Sequence, residues 1–166
     1  MAGTFHHSLI LSSEEETARF ASAMAPHLRA GDTILLKGGL GAGKTHFARA
    51  LIQARLRVAG RNEEVPSPTY TLVQEYDDGT CTIWHCDLYR LSGVDDLQEL
   101  GLAEAFETAI TLIEWPDKLG PEAPASALTL EFRMQKAPGA RHLDMSYSDP
   151  RWHAVAEAGL PVAGHG

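Results

Sequence analysis

In the stretch KGGLGAGKTHFARAL, from Lys37 to Leu51, a glycine-rich run ends in Gly43-Lys44-Thr45 and matches GxxxxGK[ST]. The chemistry open to that pattern is the binding of a nucleoside triphosphate. Glycines allow the backbone turns that aim successive N–H groups at phosphate oxygens. The helix expected next points the positive end of its dipole at the same place. Lys44 is placed to reach the β- and γ-phosphates, and the Thr45 hydroxyl to ligate Mg²⁺. Gly41, Ala42, Gly43 and His46 complete the nucleotide-binding set around them.

Such a loop needs a carboxylate for the metal, and two stand at the ends of apolar runs. Asp87 ends TIWHCD and Glu114 ends AITLIE. Each leaves the core where an α/β sheet places its ligands. Magnesium keeps several waters and takes one or two carboxylates, so both can serve. His85 precedes Cys86, and a strand turns such neighbours to opposite faces, which reads as a packed or hydrogen-bonded histidine rather than a metal ligand. Trp84 reads as core. Trp115, next to Glu114, is the tryptophan expected at the site.

The elements that must carry these residues follow from period and punctuation. Ser8 to Leu11 is a short strand, and Ser13-Glu14-Glu15-Glu16 is a capping box opening a helix that Pro26 shortens. Thr33 to Lys37 is a buried strand before the glycine loop, and Lys44 to Val58 is a helix. Asp77-Asp78-Gly79 marks a hairpin. Two short helices broken at Gly101 lead to a strand at Ala109 to Ile113. Ala127 to Met134 and Arg141 to Tyr147 form a second antiparallel pair, followed by a helix over 150–158. The fold class is α/β: a three-layer, P-loop NTPase-like fold whose mixed sheet contains antiparallel hairpins. Residues 1–158 are expected to form one domain, with 159–166 a loose tail.

The chain has 166 residues, 44% hydrophobic and 22% charged, as expected of one globular domain. No apolar run suffices for a membrane span or signal peptide, so a cytoplasmic protein is expected. Cys81 and Cys86 fit no CxxC or zinc spacing and read as two buried thiols. A net charge of −8 argues against autonomous nucleic-acid binding, and DNA is not expected as a partner. The local cluster Arg49, Arg55, Arg57 and Arg61 reads as a solvated helix face or a docking surface.

The blocks GGLGAGKT, VPSPTYTLVQEY, HCDLYRL and LIEWPDKLG, in this order, closely resemble the bacterial TsaE (YjeE) family, over about Leu9 to Arg141. That family consists of P-loop ATPases of tRNA threonylcarbamoyladenosine biosynthesis. The resemblance implies ATP and ADP as ligands, Thr45 and Glu114 as Mg²⁺ contacts, and Asp87 as a catalytic or water-ordering acid. It implies that Ser67 and Thr69 belong to a switch-like segment beside the γ-phosphate. It places Glu14 and Thr17 near the adenine, with Thr17 the base contact, and Trp115 close to the nucleotide. Arg141 matches a late arginine-bearing hairpin, and His46 is expected to face outward. The implied partners resemble TsaB and TsaD, with tRNA reached indirectly through the complex.

Other readings share the loop. A small-molecule kinase needs an arginine-bearing lid, yet Ser92 to Glu107 contains no Arg. A GTPase needs an NKxD element, and Asn62 is the chain's one asparagine. A nucleotide-dependent assembly factor with little hydrolysis stays open.

Overall fold

The computed structural model describes residues 3–61, 63–66, 72–91 and 94–160. The sequence signals fall where the elements do. Among the described residues, seven strands form a single sheet: β1 (Phe5–Leu11), β2 (Thr33–Lys37), β3 (Val73–Asp77), β4 (Thr82–Asp87), β5 (Ala109–Glu114), β6 (Leu128–Met134) and β7 (Arg141–Tyr147). Their order is β1-β7-β6-β2-β5-β4-β3. β2 runs parallel to both β5 and β6, and β4 parallel to β5. The pairs β1/β7, β6/β7 and β3/β4 are antiparallel. Antiparallel ribbons thus flank a parallel centre, and the C-terminal ends of β2, β4 and β5 share one edge.

The helices are α1 (Glu14–Met24), α2 (Lys44–Val58), α3 (Val94–Leu100), α4 (Leu102–Thr108) and α5 (His153–Gly159). Alternation along the central strands assigns them to two layers. Ile34, Leu36, Ile110 and Leu112 pack with Phe20 and Met24 of α1, Phe47 and Leu51 of α2, and Val155 of α5. Leu35 and Ile113, one residue out of phase, pack instead with Leu97 of α3, Leu102 of α4 and Leu119. β5 is buried at every position, as a central parallel strand should be.

Local signals explain the boundaries. Ser13 caps α1 by accepting from the Glu16 N–H at 3.1 Å. The Glu16 carboxylate reaches back to the Ser12 N–H at 2.7 Å, one residue earlier than in the usual capping box. Pro26 ends α1 at Met24 and leaves a 3₁₀ turn over Ala25–His27. Gly101, at φ 76°, separates α3 from α4. A 3₁₀ turn over Pro150–Trp152 precedes α5, which reaches Gly159.

Two expectations need correction. Arg55 is drawn inward rather than sharing the solvated face, whereas Arg49, Arg57 and Arg61 are exposed as expected. Arg55 donates to Asp78 at 2.5 Å and to the Ala25 and Leu28 carbonyl oxygens, while Arg61 donates to the Asp77 carbonyl oxygen. Both therefore tie the β3–β4 turn to the helical layer. Cys81 is half-buried in that turn because it precedes the strand, whereas Cys86 inside β4 is fully buried.

Candidate functional site

Strand β2 delivers Lys37 to the sheet edge, and the chain then turns through the glycine loop into α2. Gly38 begins the turn at φ 144°, and a Cβ there would lie 2.6 Å from the Phe132 carbonyl oxygen on β6. Gly43 caps α2 in the left-handed region, at φ 110°. Only glycine meets both demands without strain. The loop borders a cleft of about 460 Å³ on the edge where β2, β4 and β5 end.

Asp87 and Glu114 reach that cleft from adjacent strands and are 7% and 2% exposed. The Thr45 hydroxyl lies 2.7 and 2.9 Å from the two Glu114 carboxylate oxygens. Asp87 accepts from the Tyr89 N–H at 3.0 Å. Lys44 is buried, donates to the Gly38 carbonyl oxygen at 2.6 Å and sits 3.4 Å over the Trp115 ring. Burial lowers its pKa, partly opposed by the nearby Glu114 and Asp87 charges.

Trp115 holds this position with φ 60°, rare for a bulky residue and costing about 1–3 kcal/mol. Pro116 follows and disfavours a right-handed helical Trp115. The Trp115 ring also packs on Tyr89, with centroids 4.9 Å apart. The Glu-Trp-Pro turn thus closes one side of the cleft with aromatic surface.

The other wall joins distant segments. Arg141, at the start of β7, donates through Nε to the Ala42 carbonyl oxygen at 2.6 Å and through Nη2 to that of Gly41 at 3.1 Å. His46 donates through Nε2 to the Glu14 carbonyl oxygen at 2.9 Å. Its ring is exposed yet engaged, which corrects the expectation that it merely faces outward. Glu14, Gly41, Ala42, Gly43, Lys44, Thr45, His46, Asp87, Glu114, Trp115 and Arg141 all line the cleft. Thr17 does not. It is 2% exposed and its hydroxyl turns to the Ser13 carbonyl oxygen at 3.4 Å, because the position belongs to the buried face of α1. Ser67 and Thr69 lie outside the described residues.

Sequence reasoning did not name Tyr89 and Arg90 as cleft residues, although both sit in the HCDLYRL block. Nor did it supply a partner for His85, whose buried Nε2 lies 2.7 Å from Glu114 Oε2. Their shared face on neighbouring strands becomes readable only once β4 is known to pair with β5.

Residues 11–143 match the family described as threonylcarbamoyl adenosine biosynthesis protein TsaE. The chain belongs to the TsaE family. A TsaE relative from Rickettsia bellii is 42% identical over 125 residues, spanning 75% of this chain and 85% of that protein. One from Rickettsia felis is 44% identical over 109 residues, covering 66% of this chain and 62% of the relative. The TsaE protein of Bacillus subtilis is 35% identical over 120 residues, 72% of either chain. The crystal structure of Bacillus subtilis YdiB superposes with a TM-score of 0.75 over 96% of this chain and 97% of its own, at 24% identity, and so shares the fold.

Proposed function

We propose that this chain is the ATP-binding and ATP-hydrolysing subunit in formation of N6-threonylcarbamoyladenosine at position 37 of tRNAs reading ANN codons. In this reading, turnover resets or licenses TsaB- and TsaD-like partners between rounds. The family and its relatives' names support the tRNA-modifying role. The observation that carries the ATPase reading is the meeting of Thr45 with Glu114 at the head of the glycine loop, beside Asp87.

The residues present fit ATP and magnesium. A hydroxyl and carboxylates are hard oxygen donors, suited to Mg²⁺. The glycine turn aims the loop and the start of α2 at one point, the arrangement that receives phosphate. Magnesium, when bound, neutralises charge on the phosphate oxygens. Thr45 and Glu114 hold the metal, Lys44 and the loop N–H groups bind phosphate, and Asp87 orients the attacking water. Trp115 and Tyr89 cover the cleft and limit other water. Phosphoryl transfer rests mainly on such positioning and charge stabilisation.

Ser67 and Thr69 are assigned to sensing the γ-phosphate, and Glu14 to the nucleoside end beside His46. The net charge of −8 supports leaving most of the tRNA grip to the partners. Among the described residues no helix is long and apolar enough to cross a membrane, and the reaction is assigned to the cytoplasm, where tRNA is modified.

The test is release of inorganic phosphate from ATP by the purified chain, alone and with TsaB- and TsaD-like partners. Slow release that rises sharply with partners is expected. Brisk, partner-independent release, or phosphate appearing on an added metabolite, would overturn the reading.

A further inference from the structure

We infer that His85 is a positioning residue that fixes the Glu114 carboxylate for magnesium, an assignment resting on the nucleotide reading above. Strands β4 and β5 pair in parallel with His85 opposite Leu112 and Asp87 opposite Glu114. Residues two apart on a strand share a face, so His85, Asp87, Leu112 and Glu114 all point to the same side of the sheet. Leu112 packs there in the core shared with α2. His85 is the inner member of this set, fully buried, and reaches diagonally to Glu114.

The contact is specific to one atom. His85 Nε2 lies 2.7 Å from Glu114 Oε2, while the Thr45 hydroxyl approaches both oxygens of the same carboxylate. Among the described residues, His85 Nδ1 is buried without a hydrogen-bond partner. A bare ring nitrogen is cheaper to bury there than an unpaired N–H. The ring is therefore assigned as the tautomer with its proton on Nε2, donating to Glu114.

A glutamate's terminal torsion is broad and roughly two-fold, so the side chain alone does not set its carboxylate plane. The His85 N–H restrains Oε2, while the Thr45 hydroxyl faces both oxygens. Removing a partner of this kind typically weakens metal affinity by about 10–100-fold. Neither apolar packing of a histidine nor solvation of a glutamate accounts for a hydrogen bond between side chains that are 0% and 3% exposed.

Glutamine and asparagine separate the hydrogen bond from the bulk. The Gln amide can put an N–H near the position of Nε2, while the shorter Asn amide cannot reach it. The full chain is titrated with fluorescent N-methylanthraniloyl-ADP, with and without Mg²⁺, and the factor by which Mg²⁺ tightens binding is the readout. His85→Gln is expected to keep that factor within about 3-fold of wild type, and His85→Asn and His85→Leu to lower it by about 10–100-fold. Metal-free affinity is expected to stay close to wild type in all three, which a merely unfolded or distorted chain would not show. If His85→Leu does not fold, the Gln/Asn pair decides. A wild-type factor in Asn, or equal losses in Gln and Asn, overturns the assignment. A wild-type chain whose nucleotide binding ignores Mg²⁺ overturns the ATPase reading itself.

Discussion

Asp87 and Glu114 are direct register partners at the C-terminal ends of adjacent parallel strands β4 and β5. Two buried acids side by side normally repel, and here Lys44 and the Thr45 hydroxyl stand against them. The environments of the two differ. Glu114 is engaged by Thr45 and His85, whereas Asp87 accepts from the Tyr89 backbone at the turn that follows its strand. On the proposed reading, Glu114 is the metal-holding acid and Asp87 the water-orienting one.

Asp87→Asn should therefore lower phosphate release by about 10²–10⁴-fold, the usual worth of a general base, while Mg²⁺ still tightens ADP binding. Glu114→Ala should instead erase most of that tightening and shift the magnesium dependence of turnover to higher concentration. Lys44→Ala should abolish turnover. Phosphate release measured across a magnesium titration distinguishes the three. Wild-type turnover in Asp87→Asn would remove it from the chemistry.

Arg141 bridges the carbonyl oxygens of Ala42 and Gly41 from a strand about a hundred positions away in sequence. Holding those carbonyls restrains the loop backbone whose N–H groups are assigned to phosphate. Arg141→Ala should weaken ADP binding by about tenfold, equivalent to about 1.4 kcal/mol. Arg141→Lys should not restore it, because a single ammonium lacks the planar fork that spans two acceptors. Equilibrium titration with a fluorescent ADP analogue measures both variants.

The phosphate loop, its flanking strand and helix, and both strand-end acids were legible because each depends on local pattern: glycine spacing, an apolar run and its terminus. The hairpin at Asp77-Asp78-Gly79 was legible for the same reason. Arg55 was misjudged because nothing local distinguishes a solvated arginine from one drawn inward by an aspartate in a distant turn. Thr17 carries a hydroxyl that suits a ligand, but helix phase buries it, while His46 lines the cleft with its ring held by the Glu14 carbonyl oxygen. The reach of Arg141 to the loop and of His85 to Glu114 depends on strand order, which the sequence pattern leaves open.

Gly38 tests how tightly the loop is seated on the sheet. Gly38→Ala would push a methyl to 2.6 Å from the Phe132 carbonyl oxygen, at a φ of 144° that side chains rarely adopt. The expected loss is about 2–4 kcal/mol, since backbone cannot move aside as a flexible side chain can. Gly79→Ala, at φ 90° with nothing within 4 Å, carries the conformational cost alone, about 1 kcal/mol. Urea unfolding of the two variants should rank them in that order. Equal losses would mean that the approach of β6 to the loop is looser than the structure has it.

Asp78 supplies a pH dependence remote from the cleft. Burial alone pushes its carboxyl up, but the N–H groups of Cys81 and Thr80, the Thr80 hydroxyl and the Arg55 guanidinium together hold it down, from 3.8 to about 2. A folded-state value below the unfolded one means that the unfolded chain binds the proton more readily. The contribution is therefore fully present above about pH 4 and is lost as pH falls through about 2. It amounts to about 2 kcal/mol, and the 4% exposure of the side chain leaves little solvent screening. Asp78→Asn should lower stability at pH 7 by about 2–3 kcal/mol, because Arg55 keeps its two carbonyl acceptors but loses the buried charge opposite. The variant should also lack the share of the acid slope between pH 4 and pH 2 that belongs to this group. Urea midpoints for wild type and variant at pH 7, 4 and 3 give the comparison. A stability gap that stays constant over this range would show that Asp78 titrates alike in the folded and unfolded chains, against the hydrogen bonds that surround it.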